Sequence, residues 1–440
     1  MDDAPRPRGL SLPTKILLGL LIGACVGVAL NLALAPGVGE KPGAGYTKLV
    51  WWADNIVNPI GQVFLRLLFM VVVPVVFCSL FLGVAGLGSV QKLGQLGGRA
   101  LCWFLGTTTL AAVLGLTLVG VLQPGRQMSQ EVAAKVKAEY MEKAAEKIAE
   151  GQKGKGFSLD TLVEIVPDNV VGSASDNKKV LSLIFFALIL GAASTRLPSE
   201  RSRVLRELLE TIYELCVKVL GWTMQIAPLG VMCLIFTATA KLGIDVMKLV
   251  GFYFLTAMGG LIFYQLVVIT ILAKVFAGLS PGRFYRGCKT LLITAFSTSS
   301  SNATLPTTMR TAVEEFGVPK EIAGFVMPLG ATMNMNGTAL FEGVSVLFLA
   351  QVAGLELGLG QQILVIGLAV LTAIGAAGVP GGSLPLLAVV LVQVGVPAEM
   401  LALILGVDRL VDMTRTVPNV TSDLVCSLWL ARREGHVLKA

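Results

Sequence analysis

The sequence has little charge and almost no histidine. Only 14% of its 440 residues are charged and 54% are hydrophobic, whereas a soluble domain carries about 25% charged residues. The single histidine, His436, lies in a charged tail, which excludes Ser-His-Asp chemistry and histidine metal sites in the apolar part of the chain. The seven cysteines are scattered without a C-x-x-C pair, so they indicate buried thiols and neither a zinc site nor a disulfide framework. The composition therefore indicates a membrane protein.

The apolar segments leave room for about eight spans of roughly 20 residues each. The first run, 16–34, is too long for a signal-peptide core, so we expect a retained first span. Segment 52–86 exceeds one bilayer crossing and contains Pro59 and Pro74, which predicts a tilted or broken helix. The remaining apolar segments are 93–122, 180–195, 206–238, 246–277, 322–352, 361–395 and 399–431.

Basic residues in short loops set the predicted orientation. They cluster before the first span, after the second, fourth and sixth spans, and at the C-terminus. By the positive-inside rule, both termini are predicted to be cytoplasmic. The membrane itself is expected to be a bacterial-type inner membrane. The net charge of +7 is thus explained by lipid as a partner, and no nucleic acid is expected. The mixed-charge insertion at 126–179 is expected to be external and partly helical.

Two segments of the C-terminal third do not have the pattern of plain spans. Segment 291–312 is polar in its middle, and segment 361–395 is split by AAGVPGGSLP. Both predict re-entrant hairpins, which occur at membrane depth only where their tips are buried in protein or line a watery cavity. Each precedes a span with central polar residues. Hairpin plus span therefore occurs twice, from opposite faces, which predicts inverted repeats with a binding site at their interface.

The last span carries the strongest indication of a binding site. Five polar residues recur at helical steps and share one face: Asp408, Asp412, Arg415, Asn419 and Asp423. A charged residue at a helix centre costs about 2.5–3.5 kcal/mol on insertion scales. The fork of Arg415 suits a carboxylate and Asp412 suits an ammonium, so the face predicts a solute with two carboxylates and an amine. The alternative is a helix stabilised by its own ion pairs, such as Asp412–Arg415.

Two further segments place polar groups at membrane depth. The run 297–302 offers hydroxyls and amides to an anion at a helix N-terminus, with a flexible linker as the alternative. In the segment 334–338, NMNGT, glycine permits unwinding that frees carbonyls for a cation, with a kinked helix as the alternative. Glu342 lies one turn further along. It is a candidate proton carrier, or else it pairs with a neighbouring helix.

Four motifs make the chain similar to the glutamate transporter family, the dicarboxylate/amino acid:cation symporters that include the excitatory amino acid transporters. They are SSSNATLPTTMR, PLGATMNMNGTAL, AAGVPGGSLP and DRLVDMTRTVPNVTSD. The resemblance covers nearly the whole chain. It implies an all-α polytopic membrane fold with eight transmembrane helices, two re-entrant helical hairpins and inverted repeats. It also implies a homotrimer in which a transport domain slides against a scaffold like an elevator.

The family's domain division can be carried over to this chain. Spans 1 and 2 (1–88) and spans 4 and 5 (180–241) would form the scaffold. Span 3 (89–125) and the region 242–440, which holds span 6, hairpin 1, span 7, hairpin 2 and span 8, would form the transport domain. The polar insertion and the start of span 4 fall at 126–179.

The resemblance also implies residue roles. Arg415 would hold the substrate side-chain carboxylate, Asp412 would hold the amine, and Asp408 would support the site. The further substrate contacts would be Ser300, Ser301, Thr338, Val379, Thr416 and Asn419. One sodium site would use Gly330, Asn334, Asn419 and Asp423, and a second would use Thr332, Ala373, Ile374 and Ala376.

The sequence departs from the family pattern at a third sodium site. The family's NMDGT reads NMNGT here, with Asn336 in place of the aspartate, and a tyrosine is replaced by Phe104. Thr107 and Thr108 remain. Loss of a charge and a hydroxyl weakens a Na⁺ site, while Glu342 occupies the position of the family's proton-carrying glutamate. We therefore expect fewer than three coupled sodium ions, with coupling to Na⁺ and/or H⁺ and no other cofactor.

These observations predict a secondary active symporter for glutamate and/or aspartate. C4-dicarboxylates are the alternative substrates, although they lack the amine that Asp412 would bind, and neutral amino acids fit Arg415 less well. A channel would need a continuous polar path, whereas the polar residues concentrate in two interrupted repeats. An enzyme is not expected, because the serine run 297–302 has no histidine or lysine to act as a base.

Overall fold

The computed structural model describes residues 10–36, 42–92, 95–127, 166–175, 180–376 and 378–439, so most of the insertion at 126–179 lies outside the described residues. Every regular element in these ranges is a helix. Six helical stretches are long and apolar enough to cross a membrane: Leu12–Leu34, Ala44–Ala85, Gln95–Arg126, Glu200–Leu242, Ile244–Ala277 and Lys320–Val352. The chain is therefore all-helical and has the character of a polytopic membrane protein.

The N-terminal half is organised around one long helix. Helix α1 (Leu12–Leu34) starts at Ser11, whose hydroxyl accepts a hydrogen bond from the Thr14 amide. It packs along α8 (Ser199–Leu242), the longest helix in the described part of the chain. Gly19 of α1 lies directly against the Pro228 carbonyl of α8, where a Cβ would not fit. Small residues thus allow the close approach of the two backbones.

The segment predicted to be a tilted or broken helix is divided into three helices. Helix α2 (Ala44–Trp52) passes through a wider π turn into α3 (Asn58–Phe69), and α4 (Val72–Lys92) begins after a break. Pro59 lies in the first turn of α3, where the missing amide hydrogen costs nothing. Both α3 and α4 pack on α8. Between α4 and α8 in the sequence lie α5 (Gln95–Leu122), α6 (Val170–Ser175) and α7 (Val180–Ser194).

The C-terminal half starts with α9 (Ile244–Phe263), which continues through π-helical turns to Ala277. Helices α10 (Pro281–Thr298) and α11 (Ser301–Arg310) form a helical hairpin. Its first arm begins well before residue 291, where we placed the hairpin. The physical reason is that Ser280 caps this helix at the Arg283 amide, and the polar residues of its first turns conceal it from a hydropathy pattern.

The other C-terminal helices surround a broken helix. Helix α12 (Lys320–Met333) and helix α13 (Asn336–Val352) are separated by two non-helical residues, Asn334 and Met335. The apolar window of this stretch is 94% buried, so the break faces protein. A second hairpin follows, formed by α14 (Leu359–Gly375) and α15 (Leu384–Gln393).

The last helix, α16 (Leu405–Arg433), lies inside the C-terminal half. It packs on α9 and α10, on both arms of the broken α12–α13 helix, and on α1. Its 29 residues are enough to cross a membrane. Because of its polar face, it is not one of the six strongly apolar stretches given above. The position of α16 brings the hairpin tips and the α12–α13 break to one place.

The contact between α5 and α13 yields a stability prediction. A Cβ at Gly115 of α5 would collide with the Leu340 carbonyl of α13, whereas Gly120 on the same helix has open space around its Cα. Gly115→Ala should therefore destabilise the protein by about 1–3 kcal/mol, the usual cost of overpacking. Gly120→Ala should leave stability unchanged or raise it slightly. Thermal unfolding of both variants in detergent measures the difference, and equal melting temperatures would contradict this packing.

Candidate functional site

The polar face of α16 is buried as a unit. Its predicted members are 2–4% exposed, and so is the neighbouring Thr416: Asp408, Asp412, Arg415, Thr416, Asn419 and Asp423. Such burial requires each charged group to find partners inside the protein. The structure supplies those partners from α16 itself, from the two hairpin tips and from the α12–α13 break.

Arg415 folds back onto its own helix. Its Nη2 and Nε donate to Oδ1 of Asp412 at 2.6 and 3.0 Å, and its guanidinium lies 4.3 Å from the ring centre of Phe341. Its Nη1 lies 3.7 Å from Oδ1 of Asp408, and neither atom has a hydrogen-bond partner among the described residues. The internal ion pair considered as the alternative is therefore present, but it leaves one donor of Arg415 and one oxygen of Asp408 unsatisfied.

The second oxygen of Asp412 is held from two directions. Oδ2 accepts from Nη1 of Arg409 at 3.1 Å and from the amide of Gly381 at 3.1 Å. Gly381 belongs to the connection between α14 and α15 and has φ +73°, a conformation that favours glycine. Asp412 thus ties the tip of the second hairpin to α16.

The two hairpin tips touch each other. Ser300 caps α11, because its Oγ accepts from the amide of Ala303 at 3.1 Å, and the same hydroxyl donates to the carbonyl of Gly378. The amide of Asn302 also donates to Gly378, at 3.2 Å. The first residue of α11 is Ser301, so the predicted helix N-terminus does lie at the site.

A cavity of about 20 Å³ lies between the tips and α16, which is room for about one water molecule. A ligand larger than water therefore does not fit while the tips and Arg415 keep these positions. Eleven residues line the cavity, among them five predicted substrate contacts and the pair Asp412 and Arg415: Ser299, Ser301, Met335, Thr338, Gly378, Val379, Ser383, Asp412, Arg415, Thr416 and Asn419. Ser300 is absent from this lining because its hydroxyl joins the tips.

The first predicted sodium group lies at the α12–α13 break. Nδ2 of Asn334 donates to Oδ1 of Asp423 at 2.8 Å, and Oδ1 of Asn419 accepts from the amide of Gly337 at 2.7 Å. Gly330 lies so close to the Asp423 carboxylate that a Cβ would collide with it. The structure therefore brings all four predicted residues, Gly330, Asn334, Asn419 and Asp423, to one break in the helix.

The second predicted group comes from two neighbouring helices. Ala373 and Ile374 lie in the last turn of α14 and Ala376 follows its end, where helix carbonyls have no intrahelical partner. Helix α14 packs against α12, which carries Thr332. The hydroxyl of Thr332 donates within its own helix, to Leu329 at 3.0 Å.

The third predicted group forms a compact polar cluster. The hydroxyl of Thr108 donates to Oδ1 of Asn336 at 2.9 Å. The hydroxyl of Thr107 donates to the carbonyl of Trp103 at 2.8 Å and lies 3.2 Å from Oδ1 of Asn334. Nδ2 of Asn336 is buried without a partner among the described residues. An aspartate would put a second oxygen where this amide nitrogen lies. The asparagine therefore offers a cation one oxygen ligand fewer than an aspartate would.

Glu342 is fully buried in α13, and its Oε2 is 2.6 Å from the hydroxyl of Thr372 in α14. In the described part of the chain it has no ion-pair partner, which argues against the paired alternative. The Thr372 hydroxyl also lies 2.7 Å from the carbonyl of Leu368. A hydroxyl has one hydrogen: it can donate to an ionised Glu342, or donate to Leu368 and accept from a protonated Glu342. The contact suits both states of the carboxyl.

Sequence reasoning missed three polar residues of the site. Arg409 lies one helical step before Asp412, and its position directly after Asp408 is visible in the motif, but it was not included in the predicted face. Ser299 and Ser383 line the cavity with buried hydroxyls that have no partner among the described residues. Ser299 lies in the serine run that we identified, whereas Ser383 had no signal beyond its place near the glycines of the second hairpin.

Comparison with known proteins agrees with this architecture. The profile of the sodium:dicarboxylate symporter family matches residues 12–433. The chain is 34% identical to the proton/glutamate-aspartate symporter of Escherichia coli K12, over 87% of this chain and 86% of the relative. It is 35% identical to the proton/sodium-glutamate symport protein of Bacillus subtilis, over 96% and 93%.

A third relative carries a different name. The chain is 33% identical to the C4-dicarboxylate transport protein of Laribacter hongkongensis, over 87% of this chain and 85% of the relative. These relatives are named as transporters and not as enzymes, and this chain has the apolar helices of a multi-pass membrane protein. The chain belongs to the sodium:dicarboxylate symporter family.

Proposed function

We propose that this protein is a secondary active symporter that takes up glutamate and/or aspartate. The observation that carries the proposal is the buried pair of Arg415 and Asp412, which borders a cavity between two hairpin tips. A substrate carboxylate can replace Asp412 on the fork of Arg415, and a substrate ammonium can then replace Arg415 on Asp412. Binding thus exchanges one internal ion pair for two pairs with the substrate, and the second carboxylate of the substrate is left for other groups of the site.

The second carboxylate of the substrate has polar partners on the other side of the cavity. Ser301 opens helix α11, whose N-terminal amides and dipole favour an anion. Asn419, Thr338, Thr416 and the backbone at Val379 complete our proposed contacts, and the cavity lining supports their proximity. Ser300 would act by holding the tips together, and Asp408 by balancing the charge of Arg415.

C4-dicarboxylates are the second candidate class, since one relative is named for their transport. Such a substrate has no ammonium and would leave Oδ1 of Asp412 without a partner. A buried unsatisfied charged group is costly, by about 1–3 kcal/mol or more. The geometry at Asp412 therefore favours amino acids over amine-free dicarboxylates.

We propose an elevator architecture of eight spans, two re-entrant hairpins and inverted repeats, in a homotrimer with both termini in the cytoplasm of a cell with an inner membrane. The packing supports two units. Helices α1, α3 and α4 pack on α8, whereas α5 and α9 pack on α13 and α16. These groups match a scaffold of 1–88 and 180–241 and a transport domain of 89–125 and 242–440.

Coupling would use Na⁺ and/or H⁺. Asp423 with the break at Asn334 supports one sodium site, and the end of α14 supports a second. The direct test is uptake of radiolabelled aspartate and glutamate into proteoliposomes with sodium and proton gradients imposed separately. Accumulation driven by at least one gradient is expected. Indifference to both gradients would contradict symport.

Arg415→Cys should abolish uptake of acidic amino acids, because the fork for the side-chain carboxylate is lost together with a buried positive charge. Aspartate affinity should fall at least about 100-fold, as expected when a charge-assisted bidentate contact is removed. Competition assays should also test serine and alanine, which need no partner for a side-chain carboxylate. Arg310→Cys, at an exposed arginine of α11, is the control. Unchanged glutamate affinity in Arg415→Cys would overturn the substrate assignment.

Asn336→Asp should strengthen sodium dependence. The substitution adds an anionic oxygen beside the hydroxyls of Thr107 and Thr108, and hard oxygens replace the water shell of the ion. The sodium concentration for half-maximal uptake should fall several-fold. Adding Thr108→Val to the same variant should cancel the gain, since one oxygen is removed again. A sodium titration that does not differ from the wild type would contradict a third site at this cluster.

Glu342→Gln should uncouple uptake from the proton gradient. Glutamine resembles the protonated carboxyl and keeps a hydrogen bond to Thr372, so exchange of internal for external aspartate should persist. Net uptake driven by an acidic exterior should be lost, because no proton can be released inside. Glu356→Gln, at an exposed glutamate paired with Arg126, should retain the response. Full uptake on sodium alone, indifferent to the pH gradient and to Glu342→Gln, would refute proton coupling.

A further inference from the structure

Arg409 is a second buried arginine beside the carboxylate proposed to bind the substrate amine. Its side chain is 8% exposed and its Nη1 donates to Oδ2 of Asp412 at 3.1 Å. Its Nε is buried without a hydrogen-bond partner among the described residues. Arg409 thus holds the oxygen of Asp412 that faces away from Arg415, and it does so through one N–H group.

The surroundings of Arg409 are otherwise apolar. It borders a small cavity between α16 and the N-terminal helices, and within the described structure the only carboxylate that lines this cavity is Asp408. The other lining residues are apolar: Ile16, Phe64, Met224, Ala227, Val231, Leu384 and Leu405. A buried guanidinium needs a counter-charge. The charge of Arg409 is therefore balanced on α16 itself, by Asp412 and Asp408.

The charges of this group cancel before a substrate binds. Two guanidinium groups face two carboxylates: Arg409, Arg415, Asp408 and Asp412. An acidic amino acid carries a net charge of −1 and draws Arg415 away from Asp412 in the exchange proposed above. Without Arg409, the remaining charges of the group would sum to −1, which disfavours an anionic substrate. Asp412 would then have no cationic partner on α16 once Arg415 moves to the substrate.

We propose that Arg409 is a positioning residue that holds the Asp412 carboxylate in place and balances its charge while Arg415 is transferred to the substrate. This inference rests on the proposed acidic amino acid symport and names the group that makes the exchange of partners possible. Arg409 and the Gly381 amide both donate to Oδ2 of Asp412. Once Arg415 has moved to the substrate, Oδ1 of Asp412 is therefore free to accept from the substrate ammonium. Arg409 borders the cavity on the other side of Asp412 and is not among the residues that line the proposed substrate cavity.

The geometry distinguishes Arg409 from Arg415 in a testable way. Arg415 uses two nitrogens on Asp412 and stacks on Phe341, which lysine cannot reproduce. Arg409 uses one nitrogen, which a lysine ammonium can replace. If Arg409 acts through its charge, lysine should restore function at position 409. If it only fills the apolar cavity, methionine should restore function and lysine should not.

The experiment measures the aspartate Kd of purified wild-type protein and of Arg409→Lys, Arg409→Gln and Arg409→Met by isothermal titration calorimetry. Only the monodisperse fraction is titrated, so that poor folding lowers the yield and not the affinity. Arg433→Gln is the matched control, because this arginine lies on the same helix against Trp429 and is exposed. KM and kcat for aspartate are measured on the same variants in proteoliposomes.

The expected result is a Kd raised about tenfold or more in Arg409→Gln and Arg409→Met, in line with loss of a charge-assisted contact. Arg409→Lys should stay within about threefold of the wild type, and Arg433→Gln should equal it. KM should follow Kd in each variant. A wild-type Kd in Arg409→Gln, or rescue by methionine and not by lysine, would overturn the inference.

The two proposals fail in different ways. If the wild-type protein bound no acidic amino acid, the proposed function itself would be refuted. If the wild-type protein bound aspartate and the Arg409 variants bound it equally well, the symport proposal would stand and the positioning role alone would be refuted.

Discussion

The arrangement of the C-terminal half depends on the ion pair between Arg415 and Asp412 inside α16. A helix with three aspartates and two arginines on buried positions is costly in any apolar surrounding. Here each charge has a neighbour of opposite sign on the same helix or an amide from another element. The pairing is incomplete, because Arg415 and Asp408 each keep an unsatisfied atom. A ligand that supplies the missing partners therefore has a ready place in the site.

The mobile parts proposed for transport are attached to this ion pair. Gly381 of the second hairpin donates to Asp412, and Gly378 accepts from Ser300 of the first hairpin. When Arg415 leaves Asp412, the carboxylate to which the second tip is hydrogen-bonded would lose one of its two cationic neighbours. In the proposed mechanism the same carboxylate would link substrate binding to the position of the second hairpin, and Arg409 would hold that carboxylate in place.

The sequence predicted those features that a local pattern of residues indicates, such as charged residues in an apolar helix, where burial is energetically costly. The face from Asp408 to Asp423, the break at Asn334 and the two hairpins follow from charge, glycine and hydropathy at helical spacing. The pairing of Gly378 with Ser300 and of Glu342 with Thr372 joins elements distant in the chain, which no local pattern encodes. Arg409 was missed because its spacing from Asp412 does not by itself indicate burial, and only the tertiary structure shows that its side chain is buried.

The central claim is that a doubly carboxylated amino acid and its driving ions neutralise the charged face of α16. Calorimetric titration of the purified wild-type protein with aspartate and glutamate, with and without sodium and over a range of pH, measures this most directly. The account predicts saturable binding of at least one of them that is tightened by sodium, by protons or by both. Absence of binding of acidic amino acids and of dicarboxylates under every salt and pH condition would contradict it.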